Sequence, residues 1–213
     1  MATVLVEAPP APDLPLHRIS LEVYEQMVER GVFTPNDKIE LLDGLLVDKM
    51  TKGAPHVTTM LQGMAALQAA APIGWHIRPE SPVALRGGPR GDSAPEPDLM
   101  VVFGDIQHYK NRHPTGDEIG LVIEIAADAQ ALRRDRAGLA RYAHANIPIA
   151  CIINLPDGSI EVHREPSGPT EAPVYGISEV LRPGQSLAGS IGTPTTGPAV
   201  LAPIPVGAFF DSL

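Results

Sequence analysis

The chain has 213 residues, enough for one domain with a sizeable core and an appended tail. Its 44% hydrophobic and 19% charged residues are typical of a globular protein and exclude a disordered one. The net charge of −9 argues against indiscriminate nucleic-acid binding, which needs a basic surface, although a local basic stripe can coexist with an acidic whole. The single cysteine, Cys151, excludes a disulfide scaffold and favours a reducing cytoplasm and a core position. No stretch is long and apolar enough to span a membrane.

The first third of the chain contains a leader, a helix, a hairpin and a second helix. Residues 1–16 are rich in proline and small residues and predict a flexible leader. Ser20 is a good N-cap for the helix SLEVYEQMVERG. Asp43-Gly44, between two hydrophobic runs, indicates a hairpin turn. Residues 56–71 carry one apolar helical face, and the following WHIRPESPVAL predicts a strand that its prolines place at a sheet edge.

The central third alternates between strands and a helix. PEPDLMVVFG and GLVIEIAA are hydrophobic runs that predict buried strands, separated by a polar connection over residues 105–118. AQALRRDRAGLARYAHANI then predicts a helix in which Tyr142 packs its ring into the core. Two further strands flank the turn Pro156-Asp157-Gly158.

This order predicts an α/β (α+β) domain with a central mixed sheet flanked by helices. We expect the domain to cover residues 17–166. Residues 167–213 are rich in Gly, Pro and Thr, and we expect them to form short strands packed on the same domain.

Two acids lie within the buried strands of the central third. Asp98 and Glu124 each occupy a hydrophobic run, where an ionised carboxylate is costly unless something pairs with it. Magnesium prefers hard oxygen ligands and usually takes one or two carboxylates. The two acids therefore predict a divalent metal site, which Glu40 from the first strand could join, and such a metal would lower the pKa of a bound water.

The helix after Glu124 carries four arginines, at positions 133, 134, 136 and 141. Guanidinium groups near a metal could hold a phosphodiester bidentately. The alternative is a solvated helix face in which Asp128 and Asp135 are their partners. His56, at the start of the second helix, could contact substrate or hydrogen-bond Glu40, or could be a helix-start residue with a structural partner.

Several segments together resemble a known family. They are RISLEVYEQMVERGVFTPNDKIELLDGLLVDKM, GAPHVTTML, PIGWHIRPESPVAL, EPDLMVV, LVIEIAADAQALRRDRAGLARYAHANIP and IACIINLPDGSIEVHREP. In this order they resemble the bacterial "putative restriction endonuclease" family of the PD-(D/E)XK nuclease superfamily, from His17 to Arg164. The resemblance implies a restriction-endonuclease-like core that hydrolyses DNA with Mg²⁺ or Mn²⁺.

The resemblance also implies roles for individual residues. Glu40, Asp98 and Glu124 match the family's metal-binding acids. Ala126 stands where the superfamily has a lysine two residues beyond the second strand acid. In the helix, Asp135-Arg136 matches a DR pair, but Gly138 and Leu139 stand where a lysine should follow.

With the lysine absent, Arg136 or Gln130 would orient the attacking water or steady the phosphate. Arginine stays protonated and is a poor base. Arg133, Arg134 and His56 would bind substrate.

Two other functions stay open. A nuclease-like fold could bind nucleic acid or protein without cutting, which the missing lysine favours and the intact acids disfavour. Alternatively, the acids could be hydrogen-bonded within the sheet of a structural protein. A homodimer is compatible with the endonuclease hypothesis, since cutting two strands requires two active sites.

Overall fold

The computed structural model describes residues 15–34 and 36–210, so residues 1–14 of the predicted leader lie outside it. The described helices are α1 (Leu21–Glu29), α2 (Ala54–Ala70) and α3 (Ala129–His144). The described strands are β1 (Ile39–Leu42), β2 (Leu45–Asp48), β3 (Trp75–Pro79), β4 (Leu99–Phe103), β5 (Ile119–Ala126), β6 (Ile149–Asn154), β7 (Ser159–Pro166), β8 (Tyr175–Leu181), β9 (Ser186–Ser190) and β10 (Val200–Pro205). None of these helices has the length and apolar character that crossing a membrane demands.

Local sequence signals determine the N-terminal part of the fold. The Ser20 side chain accepts a hydrogen bond from the backbone N–H of Val23, as predicted for the N-cap of α1. Strands β1 and β2 form the predicted antiparallel hairpin, with Asp43 and Gly44 at φ of 52° and 76° in its turn. Glycine is required at the second position, because a Cβ there would lie 2.6 Å from Cβ of Arg18.

The central sheet has six strands in the order β3-β4-β5-β6-β7-β8. All neighbours are antiparallel except β5 and β6, which run parallel and are joined by α3. A parallel pair needs such a crossover, and a helix usually provides it. Strand β3 lies at one edge of the sheet, where its prolines placed it. The predicted mixed sheet flanked by helices is thus confirmed.

The two faces of the sheet bury different residues because side chains alternate along a strand. On one face, Leu99 of β4 and Ile123 of β5 pack with α2 and with the β9–β10 hairpin. On the other, Met100 and Val122 pack with α3 through Tyr142. Glu124 has the same parity as Val122, so its side chain lies on the α3 face of the sheet.

Residues beyond β7 complete the sheet and cover its first face. Strand β8 is the second edge, and the β9–β10 hairpin contributes Leu187, Leu201 and the nearby Phe209 to the core. Cys151 lies in the same core at 1% exposure, and burial raises the pKa of its thiol to about 12. Its predicted role as a core residue is therefore confirmed.

Candidate active site

Three strand acids line one cleft of about 220 Å³. Leu99 pairs with Ile123, and continuing this register by one residue puts Asp98 directly opposite Glu124. Glu40 comes from β1, which is held against the segment before β4 by the Leu41–Ala94 bridge. The topology therefore brings together acids that are far apart in sequence.

Asp98 is buried, with 5% of its surface exposed. Its Oδ2 accepts a hydrogen bond from the Ile125 backbone N–H at 2.7 Å, and its Oδ1 contacts His56 Nε2 at 3.0 Å and Lys52 Nζ at 2.5 Å. Burial acts to raise the pKa of Asp98, but the His56 hydrogen bond and the Lys52 charge outweigh it and hold this pKa below its ordinary value. Asp98 is therefore a carboxylate at neutral pH.

Glu124 lies in the opposite electrostatic environment. Burial raises its pKa well above the ordinary value, and the negative charges of Asp98 and Asp135 raise it further. The Tyr142 hydroxyl donates a hydrogen bond to Glu124 Oε1 at 2.5 Å, which opposes this shift without cancelling it. A positive charge near Glu124 would relieve the repulsion between these acids.

Glu40 lies between acidic and basic neighbours at the β1 side of the cleft. The Glu96 backbone N–H donates to Glu40 Oε2 at 3.3 Å. Burial raises the pKa of Glu40, while this hydrogen bond and the charges of Lys49 and Arg141 act to lower it. Lys49 itself forms an ion pair with the Glu96 carboxylate.

The residues present suit a hard divalent cation through their chemistry. In the part of the chain that the structure describes, no three His, Cys, Asp or Glu side chains are grouped closely enough to form a ready metal cage. Magnesium does not need one, because it is typically bound by one or two carboxylates and keeps several waters. Asp98 and Glu124 provide that pair. Burial and then the charges of Asp98 and Asp135 raise the pKa of Glu124, and a cation beside it would offset both effects.

Of the three arginines of α3 that were assigned to the site from sequence, one lines the cleft and two do not. Arg134 lines the cleft, as does Gln130 at the start of α3. Among the described residues that line the cleft, Arg133 and Arg136 do not appear. With 3.6 residues per turn, the cleft-lining positions of α3 span an arc of about 140° that begins at Asp135, and positions 133 and 136 lie outside this arc.

Arg136 instead donates two hydrogen bonds to Glu161 of β7, from Nε at 2.9 Å and from Nη2 at 2.5 Å. This bidentate pair fixes the guanidinium on the neighbouring strand. The side chain of Arg136 therefore pairs with β7 and not with the acids of the cleft, and its role in orienting water stays a prediction. Arg133 likewise does not reach the cleft, so its substrate contact has no support from its position.

His56 lies where the sequence placed it, in the first turn of α2, but its acidic partner differs from the one expected. It is 6% exposed, and its Nε2 contacts Asp98 rather than Glu40. Its Nδ1 lies 3.1 Å from the Ile125 carbonyl oxygen. Both partners are acceptors, so only the doubly protonated ring donates to both. His56 thus fixes Asp98 relative to β5.

Lys52, Asp135 and Tyr142 are among the cleft-lining residues that were not assigned to the site from sequence. Asp135 and Tyr142 are seven positions apart on α3, so their shared face was a usable signal. Burial and the charge of Asp98 raise the pKa of Asp135 to about 6. Lys52 comes from the loop between β2 and α2, and no local pattern in that segment marks it.

A mixed sheet with facing acids on adjacent strands, capped by a crossover helix, defines a restriction-endonuclease-like protein. The model of the Uma2 family, described as "Putative restriction endonuclease", matches residues 21–197. The chain therefore belongs to this family, which confirms the resemblance seen in the sequence.

One solved structure gives independent support for the fold. The chain is similar to a putative nuclease of the DUF820 family from Anabaena variabilis, with 14% sequence identity and a TM-score of 0.61. The similarity covers 86% of this chain and 96% of the other. At this identity it shows a shared fold. No curated protein matches the chain.

Proposed function

We propose that this protein is an endonuclease that hydrolyses DNA phosphodiester bonds with Mg²⁺ or Mn²⁺. The observation that carries the proposal is that Asp98, Glu124 and Glu40 line one cleft, with Asp98 and Glu124 each next to the Leu99–Ile123 pair of β4 and β5. Membership of a family described as restriction endonucleases supports the same reaction. Since cutting both strands requires two such clefts, we also propose a homodimer.

In this proposal Asp98 and Glu124 hold the metal directly, and Glu40 at the β1 side of the cleft would contact one of its waters. The metal, when bound, would polarise the phosphate and supply a more acidic water. The Ile125 N–H and His56 fix the Asp98 carboxylate, and the Tyr142 hydroxyl fixes that of Glu124. Carboxylates held by such contacts need little rearrangement before they act.

Cations at the rim of the cleft supply attraction for DNA that the net charge of the chain does not. Arg134 lines the cleft, and its side chain is 49% exposed. Its guanidinium group is therefore available to hold a backbone phosphate. Gln130, one turn earlier on the same helix, can donate a hydrogen bond to the same backbone.

A plasmid-nicking assay tests the proposal. With Mn²⁺ the wild type should nick supercoiled DNA, chelation should abolish nicking, and Glu124→Gln should slow it at least ~100-fold, because a ligand of the metal is lost. Glu29→Gln, which removes an exposed glutamate of α1, should leave the rate unchanged. Equal nicking by the wild type and Glu124→Gln, or none by either, would contradict the proposal.

A second function, DNA binding without cutting, is favoured by two observations. Ala126 provides no cation beside Glu124, and both oxygens of Asp98 already accept hydrogen bonds. Under this alternative the wild type retards DNA in a gel, Glu124→Gln retards it equally, and neither protein nicks it with any divalent cation.

A further inference from the structure

Lys52 places its ammonium group against Asp98, one acid of the pair in the cleft. Its Nζ lies 2.5 Å from Asp98 Oδ1 and 2.6 Å from Glu80 Oε1. The Lys52 side chain is 31% exposed, whereas that of Asp98 is 6% exposed. Lys52 therefore extends from the solvent-facing loop to the base of the cleft, where a phosphodiester would meet the acids.

Two other cations of the cleft are paired with acids other than Asp98. Lys49 forms an ion pair with Glu96. Arg141 donates from Nε to Asp43 Oδ1 at 3.1 Å, and both side chains of that pair are less than one-fifth exposed. Moving Lys49 to a phosphate would take away the ion-pair partner of the largely buried Glu96, which is costly, and moving Arg141 would leave Asp43 with the exposed Arg90. Asp98 differs, because it would keep the Ile125 N–H and His56 as partners if Lys52 moved.

Arg134 and His56 are also unsuited to this position. Arg134 Nε lies 3.6 Å from Asp135 Oδ1 at the rim. His56 contacts Asp98, but its other nitrogen contacts the Ile125 carbonyl oxygen, so the ring is fixed at both ends. Lys52 differs from both, because its ammonium group lies at the end of a flexible four-carbon stem and offers three donors, two of which its contacts with Asp98 and Glu80 use.

Strand β5 itself provides no cation beside Glu124. Ala126, on the same face two residues later, is buried against Ala131 and Ile152. A cation that neutralises charge at the acid pair must therefore come from another element. The loop before α2 provides one.

We infer that Lys52 is a catalytic residue whose ammonium group contacts a non-bridging oxygen of the phosphate that is cut. This inference rests on the proposed endonuclease function. Hydrolysis joins a water oxygen to phosphorus, breaks the bond to the leaving oxygen together with its electron pair, and moves one proton from the water to that oxygen. Lys52 forms no covalent bond, and its charge offsets the negative charge that gathers on the non-bridging oxygens.

Three substitutions test this role in single-turnover nicking with saturating Mn²⁺. Lys52→Met keeps the length of the stem and removes the charge, so we expect a rate roughly 100-fold lower. Lys52→Arg restores a charge and should recover part of the rate. Lys38→Met makes the same change at an exposed lysine outside the cleft and should leave the rate unchanged.

Thermal melting with Mn²⁺ separates catalysis from a structural role. The melting midpoint of Lys52→Met should still rise when Mn²⁺ is added. Half of this increase should occur at an Mn²⁺ concentration equal to or lower than that for the wild type, because the variant has no ammonium group that competes for Asp98. If Lys52→Met melts at a lower temperature without metal and Mn²⁺ no longer raises its midpoint, Lys52 has a structural role and the inference is overturned.

The nicking rates distinguish failure of this inference from failure of the proposed function. If the wild type cuts and Lys52→Met cuts equally fast, Lys52 is not catalytic, while the endonuclease proposal stands. If the wild type does not cut although Mn²⁺ raises its melting midpoint, the proposed endonuclease function is wrong, and so is the inference about Lys52.

Discussion

Replacing Asp135 with asparagine should make the metal-free protein more stable at neutral pH. The side chain of Asp135 is 11% exposed. Burial, followed by the negative charge of Asp98, raises its pKa from 3.8 to about 6, and the nearby Arg134 only partly opposes this. The folded protein therefore holds an ionised carboxylate at neutral pH in a place that disfavours it.

The size of the effect follows from linkage between protonation and folding. Each pKa unit corresponds to about 1.4 kcal/mol, so the shift from 3.8 to about 6 costs roughly 3 kcal/mol once the group is fully ionised. An acid with a raised folded pKa binds more protons when folded, so its contribution falls as pH rises. The cost is absent below about pH 4, grows between pH 4 and 6, and is complete above.

Thermal melts of the wild type and Asp135→Asn without metal measure this cost. At pH 7.5 we expect the melting midpoint of the variant to be about 6–12 °C higher, since 1 kcal/mol of unfolding free energy shifts the midpoint by about 2–4 °C at this chain length. At pH 4 the two midpoints should converge. Asp128→Asn is the matched control, because asparagine also caps a helix. An Asp135→Asn midpoint that is unchanged or lower at pH 7.5 would refute the electrostatic reasoning for the cleft.

Three further substitutions have expected outcomes. Tyr142→Phe removes the hydroxyl that donates to Glu124 and should lower the free energy of unfolding by about 2 kcal/mol, measured by urea denaturation; an unchanged value would mean that the hydrogen bond does not form. Arg136→Gln should cost about 1 kcal/mol, a figure discounted because Arg136 is half exposed, and should leave the nicking rate unchanged; a large loss of rate would return this residue to the site. Gly120→Ala places a Cβ 2.6 Å from Cβ of Ile191 and should cost about 1–3 kcal/mol, seen as a lower melting midpoint; an unchanged midpoint would show that the neighbouring loop yields easily.

Much of the fold could be predicted because its signals are local. The Ser20 cap, the Asp43-Gly44 turn and the hydrophobic runs around Asp98 and Glu124 each depend on a few consecutive residues. Such patterns determine whether a segment forms a helix, a turn or a buried strand. They also identified the two strand acids, because charge inside a hydrophobic run is conspicuous in any sequence.

The cations could not be assigned in the same way, because their positions depend on packing between distant elements. Arg136 and Arg134 are two residues apart on α3, yet Arg134 lines the cleft and Arg136 pairs with β7. Only the rotation of α3 on the sheet decides between them, and the arginine pattern alone does not give that rotation. Lys52 reaches Asp98 across 46 positions, a contact that depends on how the loop before α2 packs.

The charges that line the cleft do not balance. Seven acids line it, namely Glu40, Asp48, Glu96, Asp98, Glu124, Asp128 and Asp135. Lys49, Lys52, Arg134 and Arg141 line it with them. These four basic side chains are fewer than the seven acids. They are also unevenly placed, because Asp98 contacts Lys52 while Glu124 accepts a hydrogen bond from the neutral Tyr142 hydroxyl. A divalent cation would therefore gain most beside Glu124 and would have to compete with Lys52 at Asp98. We therefore expect moderate metal affinity. A metal that binds Asp98 would displace Lys52, and the displaced ammonium group could then contact a phosphate.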